Sequence, residues 1–213
     1  MDLINQHISA THDESVCTRL SEEALIDVYM ECPSVKKNIE DLSEVMKRNG
    51  VDDSKISDIL KEYIPHLIPA GTKGVIRGNL FNQIVKNYVT GLNLPSSEFE
   101  IKFESKHPKY VTTEIPDWYV YHLPSDTILV GMNQLDLWTG GQQLNRGAKY
   151  ILDENLHSNP QMRVVSVVCS KITVSSTKNK VFKILETGFS KKRLCYLGEL
   201  GAIIWETFGL FGR

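Results

Sequence analysis

A carboxylate and two amides stand at hairpin spacing in TEIPDWYVYHLPSDTILVGMNQLDLWTGGQQLNRGAKYIL, residues 113–152. Asp117 opens one apolar stretch, and Asn133 and Gln134 close the next. If Leu123 and Asp126 flank a Pro124-Ser125 turn, Asp117 falls opposite Met132 to within one residue. An acid and an amide would then face each other as the oxygen donors that hard cations favour. Gly140 and Gly141 follow at a helix N-terminus, where free N–H groups suit a phosphate. Gln142, Gln143, Asn145, Arg146 and Lys149 come next, residue types that reach phosphates and base edges.

The elements that must position these residues are legible from hydrophobic period. SEEALIDVYMEC opens with a Ser cap, and SVKKNIEDLSEVMKRNG sets Val35, Ile39, Leu42, Val45 and Met46 on one helical face before stopping at Gly50. DDSKISDILKEYI repeats the pattern with Ile56, Ile59, Leu60 and Tyr63. PHLIPAGTKG reads as a break, since it holds two prolines and two glycines. A helix then carries Leu80, Phe81, Ile84, Val85, Tyr88 and Val89, and three strand candidates follow: FEIKFES, DWYVYHL and TILVGMNQL. RVVSVVCSK, after the glycine-led helix, reads as a strand buried on both faces. One or two C-terminal helices are expected to hold Ile184, Leu185, Phe189, Leu194, Leu197, Leu200, Ile203, Ile204 and Trp205. The division expected is a helical subdomain over 1–69 and an α/β domain over 70–213.

Composition narrows the function classes. Apolar residues make up 41% and charged residues 23% of the 213, ordinary for a globular chain, and no apolar run is long enough to cross a membrane. The first twenty residues do not read as a secretory leader, and Cys17, Cys32, Cys169 and Cys195 lack zinc or disulfide-framework spacing, so an intracellular, cytoplasmic protein with reduced thiols is expected. Residues 1–69 carry fourteen acids and seven bases, whereas the remainder carries twelve and seventeen. That remainder includes Lys191, Lys192 and Arg193, and the KNK at 178–180, read as phosphate contacts. His107, His122 and His157 have no partners at catalytic spacing. GTKGVIRGN lacks a phosphate-loop arrangement and reads instead as the approach to the first core helix, with Arg77 available to DNA. Trp118, Tyr119 and Tyr121 read as sheet packing, and Trp138 stands where a base could stack.

The order helix, three strands, helix, strand, helix, with Pro116-Asp117 opening the second strand, resembles the core of the PD-(D/E)xK nucleases, most familiar in type II restriction endonucleases. The likeness covers residues 72–171. It implies a restriction-endonuclease-like α/β core, a mixed central sheet flanked by helices, joined to an N-terminal helical subdomain. It implies Mg²⁺ (or Mn²⁺) as cofactor, double-stranded DNA as substrate and a homodimer cutting a short palindrome. Asp117 would be the metal ligand, and the first core helix, at Asn82 or Gln83, often carries a glutamate in that family.

The second half of the motif departs from the pattern, because GMNQLDLW contains no (D/E)-x-K. The acid and lysine positions fall at Gly131 and Asn133, at Asn133 and Leu135, or at Gln134 and Asp136. Asn133 is the expected second ligand, with Gln134 beside it. Glu114 would add a carboxylate, and Lys149 or Arg146 would replace the lysine from the next helix. The competing expectations are a non-catalytic DNA- or protein-binding module that keeps the fold, and an RNA- or structure-specific nuclease.

Overall fold

The computed structural model describes residues 20–21, 24–112, 114–134, 141–169 and 179–210, without the side chains of 141–144 and 179–181. Contacts divide these residues into two compact units that meet in sequence between Leu80 and Phe81. The division falls inside a helix rather than at the Pro- and Gly-rich break expected near residue 69.

The first unit is helical: α1 (Ile26–Met30), α2 (Pro33–Arg48), α3 (Asp53–Leu67) and the first half of α4 (Ala70–Gly91). Ser21 Oγ accepts the Ala24 N–H at 3.2 Å in the turn ahead of α1, but the expected Ser cap is not found: α1 starts at Ile26 with Leu25 at its N-cap and no side-chain cap bond. Gly50 ends the α2 segment at φ +79°, a conformation that glycine alone adopts without cost. Val35 is fully buried with Leu25, Tyr29, Ile64 and Ile68, and Ile39 is partly buried against them. Val45 and Tyr63 were expected on apolar faces but are exposed; Ile64 takes the inward position beside Tyr63. The GTKG stretch is also a correction, since α4 runs unbroken through Gly71, Gly74 and Gly78. Each helix glycine costs about 1 kcal/mol against alanine. Burial of Phe81, Val85 and Val89 further along the same helix outweighs that local preference.

The second unit is built on a five-stranded mixed sheet in the order β1 (Phe99–Phe103), β2 (Trp118–His122), β3 (Thr127–Gln134), β4 (Met162–Val168), β5 (Leu194–Tyr196). The pairs β1–β2 and β2–β3 are antiparallel, whereas β3–β4 and β4–β5 are parallel. The parallel pairs need crossovers, supplied by α5 (Gly141–Leu152) and α6 (Asn179–Ser190). The chain ends in α7 (Leu197–Thr207).

Because strand side chains alternate, Tyr119, Ile128, Val130, Met132 and Val164 share one face and pack against Tyr150 of α5. Ile151 extends that contact to Val168, Ile184, Leu194 and Tyr196. Strand β4 is buried from Val164 to Val168, which explains its unbroken apolar run. The α/β class with helices flanking a mixed sheet is therefore as expected.

Candidate functional site

The β2–β3 register pairs Trp118 with Gly131 and His122 with Thr127, the register a Pro124-Ser125 turn predicts. Asp117 departs from that register by one residue, as in a β-bulge: its N–H donates to the carbonyl of Gly131, the residue already paired with Trp118, at 3.1 Å, and its own carbonyl accepts the Glu104 N–H at 3.0 Å. Backbone bonds on both sides thus hold Asp117 where β1, β2 and β3 end together.

Its carboxylate is half-buried and tied to β3. Oδ2 accepts the Asn133 backbone N–H at 2.6 Å, a short charge-assisted bond. Asn133 Oδ1 accepts the Trp118 indole N–H at 3.1 Å, and Asn133 Nδ2 donates to Asn82 Oδ1 at 3.0 Å. Asn82 also hydrogen-bonds Asp117. Burial pushes the Asp117 carboxyl above its ordinary value; the Asn133 N–H, the Arg146 charge and Asn82 pull it down, and the Glu104 charge pushes it up. Three elements therefore converge on one acid: α4 through Asn82, the start of β2, and the end of β3 through Asn133. Gln83, the other residue considered on α4, bonds instead to Asn87 Oδ1 at 2.7 Å.

The amides Asn133 and Gln134 do not act as a pair. Successive strand residues point to opposite faces, so Gln134, 6% exposed, turns away from the face that carries Asn133. Gly131 shares the Asn133 face, but the Trp118 indole lies over it. A carboxylate cannot stand at position 131 while that ring is there. Leu135, Asp136, Trp138 and Gly140 lie outside the described residues, as do the side chains of Gln142 and Gln143.

Glu114 and Lys149, both expected as helpers, bind each other. Lys149 Nζ donates to Glu114 Oε1 at 2.9 Å, and the Tyr150 hydroxyl donates to Glu114 Oε2. The Tyr150 and Lys149 bonds hold the Glu114 carboxyl below the ordinary range, and burial with Glu114 pushes the Tyr150 hydroxyl up. The pair is partly exposed, so its direct contribution to stability is at most about 1 kcal/mol. Its geometric effect is to moor α5 to the segment leading into β2.

The other expected DNA contacts divide sharply. Arg77 lies in the first unit, where its Nε donates to the Leu20 carbonyl at 3.0 Å. Lys191 pairs with Glu154 at 2.7 Å and Lys192 with Glu206 at 2.8 Å. Arg193 is corrected outright: it is 9% exposed, donates to the Ile151 carbonyl at 2.9 Å and grips both Glu154 oxygens at 3.1 and 2.7 Å. A guanidinium so enclosed is a bolt between α5 and β5 rather than a phosphate contact. Asn145 and Arg146 are exposed on α5, and the guanidinium of Arg146 has no hydrogen bond or ion pair among the described residues.

Sequence reasoning did not find the parts played by Trp118, Tyr150 and Glu104. Trp118 could have been suspected from its position opposite a glycine; nothing local marks the other two. No group of three His, Cys, Asp or Glu side chains suited to a metal occurs among the described residues. The oxygens a hard cation would need near Asp117 are its carboxylate and the amide oxygens of Asn82 and Asn133, each of which accepts a protein hydrogen bond here. Mg²⁺ keeps several waters and commonly takes only one or two carboxylates along with substrate phosphates.

No family model, curated protein or solved structure matches this chain. No helix among the described residues is long and apolar enough to cross a membrane.

Proposed function

We propose that this chain is a Mg²⁺-dependent endodeoxyribonuclease with a restriction-endonuclease-like core, cleaving double-stranded DNA at a short sequence. The observation that carries the reading is the convergence of Asp117, Asn133 and Asn82 from a strand start, the facing strand end and the preceding helix. Those are the places where a PD-(D/E)xK site keeps its oxygen donors. Asp117 would hold the ion with the amide oxygens of Asn133 and Asn82. When bound, the ion would offset the charge of the reacting phosphodiester and make a water more acidic. The Asn133 N–H orients the Asp117 carboxylate, and the Trp118 indole holds the Asn133 amide with its oxygen toward β2. The same reading takes the active form as a homodimer that cuts a palindrome inside the cell.

The test is incubation of the pure protein with plasmid DNA in Mg²⁺ or in EDTA. Discrete fragments that need Mg²⁺ and vanish in Asp117→Ala support the enzyme. A second reading, a binding module that has lost cleavage, is favoured by one observation: both polar atoms of the Asn133 side chain already have protein partners. DNA retention without any cutting, unchanged in Asp117→Ala, would select it. Cleavage confined to RNA or to branched DNA in the same assay would instead select an RNA- or structure-specific nuclease.

A further inference from the structure

Sequence reasoning singles out six cations for DNA within the described side chains: Arg77, Arg146, Lys149, Lys191, Lys192 and Arg193; the lysines of the KNK at 178–180 lie outside them. Five are bound to protein groups: Arg77 to a carbonyl, Lys149 to Glu114, Lys191 and Arg193 to Glu154, and Lys192 to Glu206. Arg146 remains. It precedes Lys149 by three residues and Tyr150 by four, so it shares their side of α5 one turn toward the helix start. Lys149 and Tyr150 both grip Glu114, which lies three residues before Asp117. That grip fixes where the next turn of α5 stands relative to the acid. The charge of Arg146 is felt at Asp117, Glu114 and Tyr150 alike, which places it on the same side of the sheet end.

We propose that Arg146 is the phosphate-binding cation of the Asp117 centre, standing where the family pattern has a lysine on the strand, and that Glu114 is its positioning residue. The inference rests on the nucleic-acid reading above. A guanidinium suits the task because its planar fork meets two phosphate oxygens at once and stays charged at all working pH values. Glu114 touches no substrate. By holding Lys149 and Tyr150 it sets the height of α5, and with it the reach of Arg146.

The experiment is fluorescence anisotropy of a labelled DNA duplex in EDTA across a salt series, with plasmid cleavage measured in parallel. Arg146→Ala should weaken duplex binding about tenfold and lower the salt slope by about one, as loss of one phosphate contact requires. Lys192→Ala should change neither. Glu114→Gln should weaken binding in the wild-type background and add nothing in the Arg146→Ala background. A merely structural role for Glu114 would add to the Arg146 loss instead. Wild-type affinity and salt slope in Arg146→Ala, or no duplex binding by the wild type, would overturn the inference. Asp117-dependent cleavage that survives in Arg146→Ala would leave the nuclease reading standing and remove the inference. Arg146-dependent binding without cleavage would do the reverse.

Discussion

The Trp118 indole lies directly over Gly131, so that a Cβ built on that glycine would sit 1.8 Å from the ring atom Cε2. The same ring donates its N–H to Asn133 Oδ1, two residues along β3. One aromatic side chain therefore covers one position of the strand and orients the next on that face. Gly131→Ala must push the ring aside. We expect a loss of about 3 kcal/mol or more from overpacking, together with loss of the indole–Asn133 bond. Urea denaturation of Gly131→Ala, Trp118→Ala and the double variant checks this: the double variant should be less impaired than the sum of the two. A Gly131→Ala protein within about 0.5 kcal/mol of wild type would contradict the geometry.

Glycines in α4 predict the opposite sign. Gly71, Gly74 and Gly78 have ordinary helical backbone, and an added Cβ at each meets nothing within 4 Å. Alanine at each should raise stability by about 0.5–1 kcal/mol through helix propensity and a less disordered unfolded chain. Gly50 is the control: its φ of +79° makes Gly50→Ala destabilising by about 1 kcal/mol although its surroundings are equally open. Thermal midpoints of the four single variants would show the contrast.

Acid stability should depend on Glu154. The Arg193 and Lys191 bonds pull its carboxyl from an ordinary 4.5 to about 2. A carboxyl depressed in the folded state stabilises fully above the unfolded value and loses that contribution as pH falls toward the folded one. Wild-type stability should therefore drop between pH 4.5 and about 2, and Glu154→Gln should show a shallower drop in that window. Added salt should shrink the difference, because Glu154 faces solvent. Equal slopes for the two proteins would remove Glu154 from the acid response.

Asn82 offers a probe of the proposed metal site that needs no cleavage. Asn82→Asp places a second carboxylate against Asp117, within the hydrogen-bonded group that also holds Asn133. In EDTA the variant should melt below wild type, since two like charges then share a half-buried site. Millimolar Mg²⁺ should recover part of the loss, because a bound ion stabilises only the folded form. A melting point in Asn82→Asp that does not respond to Mg²⁺ would count against cation binding at Asp117.

Much of the architecture was written in local pattern. The hairpin register follows from the Pro124-Ser125 turn and alternating strands, and it places Asp117 to within one residue: its N–H bonds Gly131, next to the expected Met132. The helices α2 and α3, the strands β1 to β3 and the buried β4 followed from period and apolar runs, because burying one face requires that spacing. Strand β5, of three residues, was read as helix: LCY is too short to display a period, and only pairing with Val167 and its neighbours makes it a strand. The glycines of α4 were read as a break for a related reason, since propensity is local and the burial that overrides it is not.

The candidate site shows the same boundary more sharply. Asp117 and Asn133 were singled out by the likeness to the PD-(D/E)xK pattern rather than by residue type alone, with Gln134, Glu114 and Lys149 beside them. Which cation serves them was undetermined in sequence, where Lys149, Arg146, Lys191, Lys192 and Arg193 all look alike. Tertiary structure separated them by supplying Glu114, Glu154 and Glu206, acids between 14 and 39 residues distant in sequence, and leaving Arg146 without one among the described residues. A charge's availability depends on who stands beside it in space, and no spacing along the chain records that.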